Sequence, residues 1–160
     1  SLGIRGPVSV QPAFSVDPID ITSMQITKSV NSEDKEGKSS DTMGMKHRVD
    51  FGVYILKGSI NVKLSEKTGF TEEDAEKIKE DIRTLFVNDS SSARPDGSMV
   101  MHKLYWWKHN CKIGQYSSHK VHNSIEIKKK EGVRNPRKIE DYEIICHELP
   151  GLAVEEYEGL

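Results

Sequence analysis

Residues 71–87 constrain the fold of this chain more than any other stretch. Thr71 is a good helix N-cap, Asp74 stands three residues on as its capping-box partner, and Phe70 and Ala75 occupy the staple positions around the cap. Glu72, Glu73 and Asp74 put negative charge at the positive end of the helix dipole. Ala75, Ile78, Ile82, Leu85 and Phe86 recur at spacings of three, four, three and one, which predicts a single core-packing stripe. Asn88-Asp89 ends the helix. Residues 46–62 read as the strongest strand: Val49, Phe51, Val53 and Ile55 lie on one face, Tyr54 and Leu56 on the other. Apolar residues on both faces predict a central strand. A loop at 90–98 leads to a second strong strand at 100–108, rich in Leu104, Tyr105, Trp106 and Trp107. Strand, acid-started helix, strand is one half of a ferredoxin-like or RNA-recognition-motif fold, so the fold class expected is α+β.

The remaining segments add to this frame. Pro7, Pro12 and Pro18 keep residues 8–18 extended. Residues 21–30 read as a strand and 31–41 as a polar, mobile loop, so a long hairpin is expected over 21–51. Weaker strands are expected at 121–127 and 142–146, and a frayed acidic end at 151–160. A length of 160 residues with 35% apolar side chains suits a single domain, 1–160, with a modest core.

Two cysteines, Cys111 and Cys146, are too few for a disulfide framework, and no apolar run is long enough to span a membrane. Reduced thiols in a cytoplasmic protein with no membrane partner are the expectation. The net charge of -2 argues against indiscriminate nucleic-acid binding, but the charge is uneven. Between positions 94 and 138, eleven Lys or Arg stand against three acids, a balance of about +8; from 139 to 160 there are seven acids and no Lys or Arg. Either a polyanion site or an uneven solvated surface fits that pattern.

Several chemistries are set aside. Gly37-Lys38-Ser39 lacks the earlier glycine, leading strand and following helix of a phosphate loop. His119, His122, Cys146 and His147 lack the paired spacing of a zinc site, so no metal or other cofactor is expected. Cys111, His109 and Asp96 have no nucleophile elbow, and nothing else demands catalysis. Tyr105, Trp106 and Trp107, flanked by Lys103, Lys108 and His109, fit either a stacking platform or a core strand; the core is favoured for Trp106, and Trp107 stays open. Met43 and Met45 flank Gly44 beside Lys46, His47 and Arg48. Adaptable Met side chains suit a wedge between stacked bases and equally a small satellite core.

The pattern Thr42-Met43-Gly44-x-Lys46-His47, followed by Phe51-Gly52-Val53-Tyr54, resembles the backbone subunit of type I CRISPR surveillance complexes (the RAMP superfamily), most of all the subtype I-C form. The likeness extends through Ile4-Arg5-Gly6-Pro7-Val8, Gly58-Ser59-Ile60, Glu66-Lys67-Thr68-Gly69-Phe70-Thr71, Ser91-Ser92-Ala93-Arg94, Gly97-Ser98-Met99, Lys103-Leu104, Lys108-His109, Lys112-x-Gly114 and His119-Lys120. In that family, copies stack head to tail along a guide RNA. Each has a palm built on a modified RNA-recognition motif and a β-hairpin thumb that presses over the guide, and target DNA pairs with the guide between thumbs. The resemblance implies a thumb at 21–51 and half of the palm at 52–108. It implies RNA-facing roles for Met43, Met45, Lys46, His47 and Arg48, with Arg94 and Lys103 as phosphate contacts. The partners implied are guide RNA, target DNA through the guide, copies of the chain and other Cascade subunits. Cutting is left to a separate nuclease, so no catalytic residue is implied; a repeat-processing endoribonuclease of the same superfamily is the alternative. Family members are nearly twice this length, so these residues are expected to be a C-terminal portion.

Overall fold

The computed structural model describes residues 3–28 and 42–160. So far as they are described, the residues form two compact units: Ser1–Pro12, Lys57–Glu126 and Ile144–Leu160 make one, and Ala13–Leu56 and Ile127–Glu143 the other. The expected α+β class is observed, as helices with small antiparallel sheets.

In the first unit, β1 (Val8–Val10) pairs with β6 (Gly58–Ile60), and β7 (Lys103–Trp107) pairs with β10 (Val154–Glu158). Three helices belong here: α1 (Val62–Thr68), α2 (Glu72–Arg83) and α3 (Ser118–His122). The capping box of α2 forms as the sequence predicts. The Thr71 side chain accepts the Asp74 amide at 3.2 Å, and the Asp74 carboxylate accepts the Thr71 amide at 2.8 Å. The Thr71 backbone bond is also the first cause that holds the Asp74 carboxyl below its usual range. Thr71→Ala is expected to lower stability by about 1 kcal/mol, read from the urea midpoint, because it orphans a first-turn amide. The helix ends at Arg83 rather than 87, and turns lead to Asn88, whose φ of 59° is left-handed. The core is small. Val121, Leu149 and Leu152 are buried together, with Trp107 and Tyr116 packed on them. Leu149 and Leu152 are brought together by a turn in which the Leu152 amide donates to the Leu149 carbonyl at 2.9 Å. Pro150 fits its second position, and Gly151, with a φ of 78°, supplies the positive φ of a type II turn.

Two expectations are corrected in this unit. The acidic end is not frayed. Residues 154–158 are β10, in register from Val154 opposite Trp107 to Glu158 opposite Lys103. Their carboxylates meet cations: Glu155 bonds Lys79 at 2.8 Å, while Glu156 and Glu158 both pair with Lys103. The second correction concerns Val121, which lies in α3 rather than in a strand; β8 (Ile125–Lys129) begins later, as the partner of β9 (Tyr142–Cys146).

The stretch 46–62 is not one central strand. It is the end of β4 (Thr42–Val49), then β5 (Tyr54–Ile55) and β6, followed by the start of α1. Each strand takes its own antiparallel partner from the N-terminal segment, whose prolines set the interruptions: β4 pairs with β3 (Ile21–Lys28), β5 with β2 (Phe14–Ser15), and β6 with β1. Close approach fixes the glycines between them. A Cβ on Gly52 would lie 2.9 Å from the Tyr54 ring, and one on Gly58 would lie 2.9 Å from the Ser9 carbonyl oxygen. Helix α1 has a signal of its own: the Asn61 side chain caps the Leu64 amide at 3.0 Å, and Gly69 closes the last turn at a φ of 74°.

The second unit holds β2, β3, β4 and β5, with residues 127–129 of β8 and 142–143 of β9. Tyr142 is buried, and its hydroxyl donates to the Asp17 carboxylate at 2.9 Å. Burial, then that anionic partner, pushes the phenol up to about 12. A raised folded value means that the stabilisation is complete below the ordinary value of 10.0 and is lost as pH rises towards 12. Tyr142→Phe is therefore expected to be about 1 kcal/mol less stable at pH 8, with the difference shrinking above pH 10 in denaturation curves taken at both values.

Candidate nucleic-acid interface

The β3–β4 hairpin pairs eight residues on each strand, from Ile21 opposite Val49 to Lys28 opposite Thr42. The expected polar loop at 31–41 lies outside the described residues. Strand alternation divides the sequence-predicted group in two. One face carries Met43, Met45 and His47 beside Ser23, Gln25 and Thr27; the other carries Lys46 and Arg48 beside Thr22, Met24 and Ile26. Met43 and Met45 are 68% and 57% exposed, so they are not the satellite core that the sequence also allowed. On their face the Gln25 amide donates to Met43 Sδ at 2.9 Å, and Ser23 Oγ lies 2.8 Å from His47 Nδ1, which fixes the ring. On the cationic face Arg48 Nε donates to Asp50 at 3.1 Å. The Thr22 hydroxyl, then Arg48, holds the Asp50 carboxyl below its usual range, so Asp50 stays anionic and partly neutralises Arg48. Lys46 has no acidic partner among the described residues.

Sequence reasoning missed the β3 half of this surface. Met24 and Ile26 are exposed on the cationic face, and Gly44, opposite Ile26, leaves that side chain uncovered. The available signal was the alternation of residues 21–28 taken in register with β4.

Arg94 and Lys103 belong to the other unit, and both are paired there. Arg94 makes a two-pronged bond with Asp89, 3.1 Å on each arm. Lys103 is held by Glu156 and Glu158, and the Glu156 bond raises its pKa. The aromatic residues of β7 serve the fold. Lys79 Nζ lies 5.1 Å from the Trp106 ring centroid, Trp107 packs on the core cluster, and Tyr105 stacks against Trp107 at 6.3 Å. His119 contacts Asn123, and His122 Nε2 lies 3.1 Å from the Gly58 carbonyl oxygen. Among the described residues no three His, Cys, Asp or Glu side chains stand close enough to hold a metal ion, and no helix is long and apolar enough to cross a membrane.

The basic stretch is largely neutralised. Of its eleven cations, Arg94, Lys103, Lys108, Lys112, Lys128, Lys129 and Arg137 each form an ion pair. Lys120 Nζ sits 4.6 Å from the Tyr116 ring centroid. That leaves Lys130, Arg134 and Lys138, all exposed and in no ion pair among the described residues, although Lys130 and Lys138 both help to hold the Asp141 carboxyl below its usual range.

The family model for CRISPR-associated protein Cas7 matches residues 2–147. The chain belongs to the Cas7 family. Cas7 proteins are CRISPR-associated backbone subunits that form crRNA-binding complexes with other Cas subunits. The matched span contains the whole described β3–β4 hairpin, α2, β7 and the β8–β9 pair, whereas β10 lies beyond it. No curated protein matches this chain. Within a Cas7 chain, the exposed methionines beside a separate cationic face are the features suited to a nucleic-acid strand.

Proposed function

We propose that this Cas7 chain is a non-catalytic, guide-coating backbone subunit of a type I complex of subtype I-C character, acting in the cytoplasm. Copies follow one another head to tail along the crRNA, with other Cascade subunits at hand. The β3–β4 hairpin is the thumb, and β6, α2 and β7 contribute to a ferredoxin-like palm. The two-faced hairpin carries this reading: Met43, Met45 and His47 form an exposed wedge, and Lys46 and Arg48 form a cationic edge one pleat away. Apolar side chains that enter a base step part the stack, while cations hold phosphates without reading sequence. Target DNA is then chosen by pairing with the guide rather than by side chains. Affinity rests on phosphates and falls with salt.

The test is to incubate the chain with end-labelled repeat RNA, without metal, and to follow both binding and integrity of the strand. Salt-sensitive binding with intact RNA is expected. A discrete cut would assign the chain instead to the repeat-processing endoribonucleases of the same superfamily.

A further inference from the structure

We infer that residues 130–138, the loop between β8 and β9, form a second phosphate-gripping element that continues the cationic face of the hairpin along the same RNA strand. This rests on the guide-coating reading and extends it to residues that the sequence counted only as part of its basic stretch.

Two aspartates tie the loop and its flanking strands to the base of the hairpin, all within the second unit. Asp17 takes the Tyr142 hydroxyl at 2.9 Å and the Lys129 ammonium at 3.3 Å. Asp20, just before β3, takes Arg137 Nη2 at 3.0 Å. Asp50, just after β4, pairs with Arg48 and also feels the charge of Arg137. The loop and the hairpin base enclose a space of about 20 Å³ lined by Ile19, Phe51, Val53 and Pro136, so the two are packed together. The loop is braced from within. Asp141 Oδ2 accepts the Arg137 and Lys138 amides at 2.8 and 3.2 Å, and the Lys130 amide donates to the Asp141 carbonyl at 2.9 Å.

Bracing consumes Lys128, Lys129 and Arg137 and leaves Lys130, Arg134 and Lys138 exposed. Glu131 is the one acid between positions 128 and 138, and the loop has no aromatic residue. Fixed cations without a stacking surface suit the sugar-phosphate backbone rather than the bases. Arg137 links the two segments: it bonds Asp20 at the start of the hairpin, and its charge reaches Asp50, the partner of Arg48 on the cationic face.

The experiment compares the chain with the triple variant K130E/R134E/K138E and, separately, with Lys46→Glu, by fluorescence anisotropy on a labelled single-stranded repeat RNA over a salt series. Lys130 and Lys138 lie near the Asp141 carboxylate, so the unfolding temperature of the triple variant is measured before its binding is read, whereas Arg134 has no such neighbour among the described residues. The expected result is at least tenfold weaker binding at low salt and a log–log salt slope shallower by about 2, three contacts at about 0.7 each. A folded triple variant with unchanged affinity and slope, while Lys46→Glu still weakens binding, would overturn the loop assignment and leave the guide-coating reading standing. If the parent itself binds no RNA, both fall. Loss of self-association at unchanged RNA affinity would also overturn it and give the loop to a protein partner. If the triple variant is misfolded, R134E alone is read in the same way, with a slope change of about 0.7 expected and no change refuting the assignment.

Discussion

Lys79→Glu is expected to destabilise the first unit by about 3–5 kcal/mol, the range for leaving a buried charge without its counter-charge. Lys79 is only 5% exposed, because it lies on the apolar stripe of α2, four residues after Ala75 and three before Ile82. Its ammonium reaches Glu155 at 2.8 Å and Glu76 at 3.0 Å, and it lies about 5 Å from the ring centroids of Trp106 and Tyr157. Burial by itself would lower its pKa. The bonds to Glu155, Glu76 and Tyr157 outweigh burial and hold the group above its ordinary value. A carboxylate in that place would face two others beneath two rings. Lys79→Met keeps the apolar stem and leaves Glu155 half exposed to water, so about 1–2 kcal/mol is expected instead. Urea titrations of both variants check the order. The pair also sets an acid limit. Lys79, then Tyr157, holds the Glu155 carboxyl below its ordinary 4.5, so the stabilisation is complete above that value and is lost as pH falls below it. The gap between parent and Lys79→Met should therefore narrow in acid; a gap that widens there contradicts the assignment.

The second large effect concerns the hairpin, where the two faces should fail differently. Lys46→Glu is expected to weaken repeat-RNA binding about tenfold and to make the log–log salt slope shallower by about 0.7–1, because one phosphate contact is lost. The double change M43S/M45S removes no charge. It is expected to weaken binding about tenfold at every salt concentration with the slope unchanged, since the loss is apolar contact with bases. Both variants lie on exposed positions and should keep the parental unfolding temperature. If M43S/M45S binds as the parent does, the methionines are not the wedge. If Lys46→Glu changes affinity without changing the slope, it does not act through phosphates.

Local signals in the sequence carried a good part of this fold. The α2 cap was readable because Thr71 and Asp74 satisfy each other within one turn, and the hairpin was readable from two extended runs around a polar segment. What was not readable depended on distant partners. β10 looked like a frayed acidic end because Lys79 and Lys103, its counter-charges, lie more than fifty residues earlier. Residues 46–62 looked like one strand because the prolines that break its partner segment are themselves thirty or more residues away. The methionines and basic residues of the hairpin were found as one cluster in sequence; only the register shows that Met43, Met45 and His47 turn one way and Lys46 and Arg48 the other. Arg94 and Lys103 were chosen for charge, and charge alone does not say whether an acid in the fold has already claimed it.

The guide-coating account is tested most directly by purifying the chain at about 100 mM salt, measuring its 260/280 nm absorbance ratio, and sequencing whatever RNA travels with it, with Lys46→Glu carried in parallel. The account predicts short RNAs of CRISPR-repeat type in an assembly larger than one chain, and a depleted RNA fraction in the variant. A folded, RNA-free monomer that also fails to bind added repeat RNA would contradict it.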